Sequence, residues 1–248
     1  MNPTPAALDT GSAAFDKALS LLRQSGHPGP TAAPGCTAWV EQLVDALCEL
    51  SSRDALTGLA NRRQFEIVLA REVDRVARSG EPALLLTLDI DHFKRINDTY
   101  GHAAGDQVIK TIAGMLLECV RPMDTVARVG GEEFAIVLPN CPPPFGATIA
   151  ERVRTRVERS PMSVGVDGGL THRLPVTVSI GGAFAPQWVR STALLWMERA
   201  DLQLYRAKGE GRNRHCIEAV AYSQVSAEEK GLLFSSQFQD LDDPQEAP

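Results

Sequence analysis

An α/β fold, with helices covering the faces of a central sheet, is what this sequence predicts. Three observations predict it. Helical and extended segments alternate through the middle of the chain. One extended run, Leu84-Leu85-Leu86-Thr87-Leu88, is apolar at nearly every position and too short for a typical helix, so it reads as a strand buried on both faces. A glycine-centred hairpin at Gly130-Gly131 is inserted into the alternation.

Taken in order, residues 12–24 put Phe15, Leu19 and Leu22 at helical spacing, and the Gly/Pro-rich stretch 26–35 then breaks the chain. A second amphipathic helix is read over 37–51, with Val40, Leu43, Val44, Leu47 and Leu50 on one face. The two helices either pack on the domain that follows or form a helical lead-in to it. A helix over 61–79 precedes the buried strand at 83–89. The next helix is read over 106–120, its apolar face formed by Val108, Ile109, Ile112, Met115, Leu116 and Cys119. Asp106, directly after Gly105, has the position of an N-cap for it. The hairpin strands are Thr125-Val126-Ala127-Arg128-Val129 and Phe134-Ala135-Ile136-Val137-Leu138. A helix over 144–159, a strand over 175–181 and a helix over 192–208 complete the core. Beyond Tyr222 the chain carries Asp240, Asp242, Asp243 and Glu246 with two prolines, the composition of a tail disordered at its end.

With 31 acidic against 25 basic residues the formal charge is −6, which argues against a nucleic-acid surface as the main function. No uncharged apolar run approaches the ~18 residues of a membrane span, and Met1-Asn2-Pro3-Thr4-Pro5 has neither the basic nor the apolar region of a signal peptide. A cytoplasmic protein is expected. The five cysteines are scattered without Cys-x-x-Cys spacing and read as free thiols rather than a disulfide framework or zinc site.

The chemistry lies at two acidic places. The buried strand ends in Asp89-Ile90-Asp91, and two acids at the end of such a strand must face something charged. Asp91 is accounted for as a helix cap; Asp89 is assigned to a cation together with Glu132. In Gly130-Gly131-Glu132-Glu133-Phe134 the glycines let a phosphate approach the backbone, and the carboxylates can hold a hard cation or take up a proton. An acidic glycine hairpin alone is a weak signal, since surface turns often have this composition.

Four ordered motifs make the chain resemble the GGDEF-domain diguanylate cyclases, which condense two GTP into cyclic di-GMP and two pyrophosphates. They are Gly-Gly-Glu-Glu-Phe itself, Asp54-Ala55-Leu56-Thr57-Gly58-Leu59-Ala60-Asn61-Arg62-Arg63, the stretch from Asp89 through Asp106, and Lys208-Gly209-Glu210-Gly211-Arg212-Asn213. The resemblance implies a palm-like domain with a mainly antiparallel central sheet over 53–218, preceded by a helical segment over 1–52 and followed by a tail over 219–248. It also implies Mg2+, with Mn2+ as an alternative, held by Asp89, the Ile90 carbonyl and Glu132; Glu133 either shares a second metal or helps deprotonate the attacking hydroxyl. Phosphates are implied at the amides of His92 and Phe93, at the start of a helix, and at Lys94, Lys208 and Arg212. Guanine falls to Asn97 and Asp106, since a carboxylate can accept from the base's N1 and exocyclic amine together, and His102 joins the substrate-binding set. Arg121 and Asp124 match an inhibitory RxxD site for the product, with Arg152 as an extra arginine. Each domain holds one GTP, so a two-fold homodimer is implied. A silent GTP- or product-binding GGDEF module and a different nucleotidyl cyclase are the competing classes.

Overall fold

The computed structural model describes residues 13–166, 170–187 and 191–219. The buried run is β1 (Ala83–Ile90), and all eight of its residues are buried. It pairs antiparallel with β3 (Glu133–Pro139) on one side and with β6 (Val178–Phe184) on the other. β2 (Thr125–Arg128) closes the expected hairpin with β3, and the short β7 (His215–Ile217) adds to β6 in parallel. The order β2-β3-β1-β6-β7 gives the mainly antiparallel central sheet.

Helices cover both faces. Phe65, Leu69, Val73 and Val76 of α3 (Arg62–Ser79), with Trp196 and Ala200 of α7 (Ala193–Gly209), pack on Leu85, Val137 and Ala183. The Trp196 indole N–H donates to the Ala183 carbonyl at 2.8 Å, so the largest buried side chain carries no unpaired donor. α3 has strong local signals: Asn61 accepts from the Gln64 amide and Gly80 ends the helix at φ 66°. α6 (Pro143–Glu158) crosses the opposite face, where a Cβ on Gly146 would lie 3.0 Å from Leu84 and 2.9 Å from Phe184. α4 (Phe93–Tyr100) and α5 (His102–Glu118) pack together beside it.

α1 (Ala13–Gln24) and α2 (Thr37–Ser52) bury Leu22, Trp39, Leu43 and Ala46 in a cluster of their own, with Phe15, Leu19 and Leu47 around it. They pack on each other, so this cluster does not extend the core of the sheet.

Several expectations need correction. The helix expected over 106–120 begins at His102, because Gly101, at φ 82°, turns the chain without any side-chain cap. Asp106 therefore lies in its second turn and is not an N-cap. The strand expected over 175–181 begins only at Val178 and runs on to Phe184 through Gly181-Gly182. Gly181 serves close approach there rather than termination: a Cβ on it would meet the α7 backbone, 2.2 Å from the Leu204 nitrogen. A two-stranded ribbon, β4 (Met162–Val166) with β5 (Leu170–Leu174), was not signalled in the sequence, nor was β7. Residue 12 of the first helix and the tail beyond Tyr222 lie outside the described residues.

Candidate active site

β1 delivers Asp89 to the carboxyl end of the central strand with 7% of its surface exposed, opposite Glu133 across the β1–β3 ladder. The Ile90 amide donates to the Glu132 carbonyl at 3.3 Å, which sets the hairpin tip against the end of β1. Asp89, Ile90 and Glu132 are thus brought together, as the sequence anticipates. Burial pushes the Glu132 carboxyl above its ordinary value; the Asp89 charge adds to this, the Lys208 charge opposes it, and Glu133 adds a further rise. Lys208 of α7 meets the cluster directly, its Nζ 2.7 Å from Asp89 Oδ2. Clustered, partly desolvated carboxylates are a donor set that suits a hard divalent cation. Among the described residues no three His, Cys, Asp or Glu side chains could hold a metal alone. Glu133 folds back over the turn: a Cβ on Gly130 would lie 2.2 Å from its Oε2 and would displace that carboxylate.

α4 opens beside these acids. His92 precedes it at φ 58°, and no side chain caps the helix, so its first amides are left for an outside acceptor. Phe93 anchors the turn in the core, while Lys94 points to solvent. Asn97 lies against α5 at Gly105, where a Cβ would come within 2.0 Å of Asn97 Oδ1. The missing side chain at Gly105 is what lets Asn97 lie against α5 at the residue before Asp106. Sequence reasoning missed Gly105. His102, in the first turn of α5, is exposed.

The segment after α7 forms the remaining wall. Arg212 and Asn213 both take left-handed backbone, at φ 62° and 45°. The Asn213 amide donates to Asp91 Oδ2 at 3.0 Å, and the same carboxylate accepts from the Thr177 and Ser179 hydroxyls at 2.7 Å each. Asp91 is therefore not the expected cap of α4: its side chain turns toward β6 and the closing segment.

A profile of the diguanylate cyclase, GGDEF domain family matches residues 51–214. The chain belongs to the GGDEF family. It is 41% identical over 178 residues to the response regulator PleD of Caulobacter vibrioides, covering 71% of this chain and 38% of that protein. Against the diguanylate cyclase DgcP of Pseudomonas aeruginosa it is 42% identical over 168 residues, covering 65% and 23%. The GGDEF domain of DgcB from Caulobacter crescentus, solved with cyclic di-GMP, superposes at TM-score 0.62 with 37% identity, covering 67% of this chain and 93% of that one. The chain spans less than half the length of these two curated relatives.

Two further features of the GGDEF domain bear on the site. Asp54, from the domain's opening motif, accepts from the Thr57 amide and hydroxyl at 2.9 and 2.6 Å and faces the Arg128 guanidinium at 3.3 Å. Arg128 in turn donates to the Gly131 carbonyl at 2.8 Å, so the residue just after α2 is linked to the hairpin tip through one arginine. On the far side of the domain, Arg121 pairs with Asp124 at 2.7 Å and also donates to the Pro139 carbonyl at 2.8 Å. Arg152 of α6 donates to the Cys119 carbonyl at 2.5 Å, which brings it to the start of the same turn. The three residues expected to form an inhibitory site therefore share one surface.

Proposed function

We propose that this chain is a diguanylate cyclase that joins two GTP into cyclic di-GMP and releases two pyrophosphates. The observation that supports the reading is the convergence of Asp89, the Ile90 backbone and Glu132 at the carboxyl end of β1, with uncapped α4 beside them. Mg2+, or Mn2+ in its place, would be held by Asp89, Ile90 and Glu132, with Glu133 near enough to the tip to share a second ion. When bound it neutralises phosphate charge and polarises the α-phosphate.

The protein's own groups supply the rest. The His92 and Phe93 amides receive phosphate oxygens, since helix N-termini favour anions. Lys94 and Arg212, without a side-chain partner among the described residues, take the triphosphate, and Lys208 joins them once released from Asp89. Asp106 accepts from guanine N1–H and the exocyclic amine, while Asn97 meets the base's remaining polar atoms. His102 flanks that pocket. Glu133 either shares that second ion or takes the proton of the attacking 3′-hydroxyl. Holding the hydroxyl and α-phosphate in line removes much of the entropic barrier.

One domain supplies one GTP, so the reaction needs a homodimer with its two sites facing each other. Product binding at Arg121, Asp124 and Arg152 supplies inhibition, by a coupling that acts equally in both directions on binding. In this reading the domain spans 53–218 and α2 is its lead-in helix. GTP is the substrate of a cytoplasmic enzyme, and among the described residues no helix is long and apolar enough to cross a membrane. The test is pyrophosphate release from GTP and Mg2+ by purified protein. Release that disappears in Glu132→Gln supports the reading; no release across a wide protein-concentration range, with GTP still bound, contradicts it.

A further inference from the structure

We propose that Asp91 is a positioning residue for the triphosphate, acting through the backbone of Asn213 on Arg212; this rests on the cyclase reading of Arg212. Asp91 is a buried acid, 5% exposed, that the chemistry above does not use. Its carboxylate is fully engaged: Oδ2 accepts from Thr177 Oγ1 at 2.7 Å and from the Asn213 amide at 3.0 Å, and Oδ1 accepts from Ser179 Oγ at 2.7 Å. Its own amide donates to the Thr177 carbonyl at 2.9 Å.

The consequence lies in the closing segment. Two consecutive non-glycine residues in left-handed conformation persist only where surrounding contacts determine them. Here the Arg212 amide donates to the Ala207 carbonyl at 3.0 Å, and the Asn213 amide is held by Asp91. The Asn213 side chain is fixed separately by α6, donating to Glu158 at 2.6 Å and accepting from Arg154 at 2.9 Å. With both amides fixed, Arg212 leaves the turn in one direction, and its guanidinium has no partner among the described residues. Asp91 is the first residue beyond β1, two positions after Asp89. Its amide bond to the Thr177 carbonyl and the hydroxyls of Thr177 and Ser179 tie it to the start of β6, so the cation-facing carboxylate and the anchor of the phosphate-facing arginine are held close together at the end of the central strands.

The test is a binding cycle on the full chain, measuring by calorimetry a non-hydrolysable GTP analogue and GMP against wild type, Asp91→Ala, Arg212→Ala and the double variant. Asp91→Ala is expected to weaken the triphosphate by about tenfold more than GMP, an effect that vanishes in the Arg212→Ala background. Asp91→Asn is expected to stay within about twofold of wild type, because an amide oxygen can replace Oδ2 while its NH2 donates to the Ser179 hydroxyl. Equal loss in both backgrounds, equal loss for both nucleotides, or an Asn variant as weak as Ala would overturn the proposal. Should Asp91→Ala not fold, Asn213→Ala, which strains the left-handed residue and leaves Asp91 in place, enters the cycle with the same two outcomes. Turnover of GTP is scored separately, so an inactive wild type counts against the cyclase reading while the binding cycle stays legible.

Discussion

The Lys208 ammonium lies 2.7 Å from Asp89 Oδ2, against the carboxylate that the proposed divalent cation would use. Cation and ammonium compete for one charge. Lys208→Met is expected to tighten Mn2+ binding in the absence of nucleotide by severalfold, while weakening triphosphate binding, because the same side chain is needed there. Titrating Mn2+ by electron paramagnetic resonance checks this; unchanged or weaker metal affinity in the variant would show that the pair does not compete.

Gly105 makes room for Asn97 beside Asp106. Gly105→Ala favours the helix by about 0.5–1 kcal/mol, yet its Cβ would stand 2.0 Å from Asn97 Oδ1 and push that side chain aside. The Cβ would also stand 3.0 Å from the buried Phe93 ring, which offsets the helix gain, so the expected outcome is a fold that melts close to wild type, with GTP-over-ATP preference reduced by the ~1–3 kcal/mol typical of a lost hydrogen-bond partner. Melting temperature and nucleotide competition separate the two effects. Retained preference would remove Asn97 from the guanine pocket.

Arg121 offers a guanidinium at the surface turn, bonded to Asp124 and the Pro139 carbonyl. Arg121→Ala is expected to keep the initial rate and to lose inhibition by added cyclic di-GMP. Progress curves with and without product are sufficient; inhibition at the wild-type level would refute the site.

How far the sequence foretold this depended on whether a residue's reason for being there was local. β1 was legible because all its positions are apolar or face the site, and α3 because Asn61 and Gly80 cap it. Asp89 and Glu132 were legible through their residue types and the motifs around them. The start of α5 was not, since Gly101 supplies backbone freedom but no capping side chain. Gly181 looked like a strand end because its true neighbour, the α7 backbone, is distant in sequence. Asp91 was misread for the same reason: capping explains it locally, whereas its partners Thr177, Ser179 and Asn213 arrive from β6, the residues before it and the closing segment.

Acid should loosen the α6 side of that segment first. The hydrogen bond from Arg154 takes the Glu151 carboxyl from 4.5 to about 2, against the opposing effect of burial and with help from Thr155 and His215. Its folded value lies below its unfolded one, so it contributes stability above pH 4.5 that is lost as pH falls toward about 2. Solvent screening reduces this, because half of Glu151 is exposed. Melting temperature followed over that window is expected to fall less steeply in Glu151→Gln than in wild type. Parallel curves would show that the pair adds no stability.

Product identity bears on the central claim most directly. Purified protein incubated with GTP and Mg2+, its products identified by mass, is expected to give cyclic di-GMP with two pyrophosphates per product molecule, and none in Asp89→Asn. A linear dinucleotide, a cyclic mononucleotide, or no product from protein that binds GTP would contradict the account.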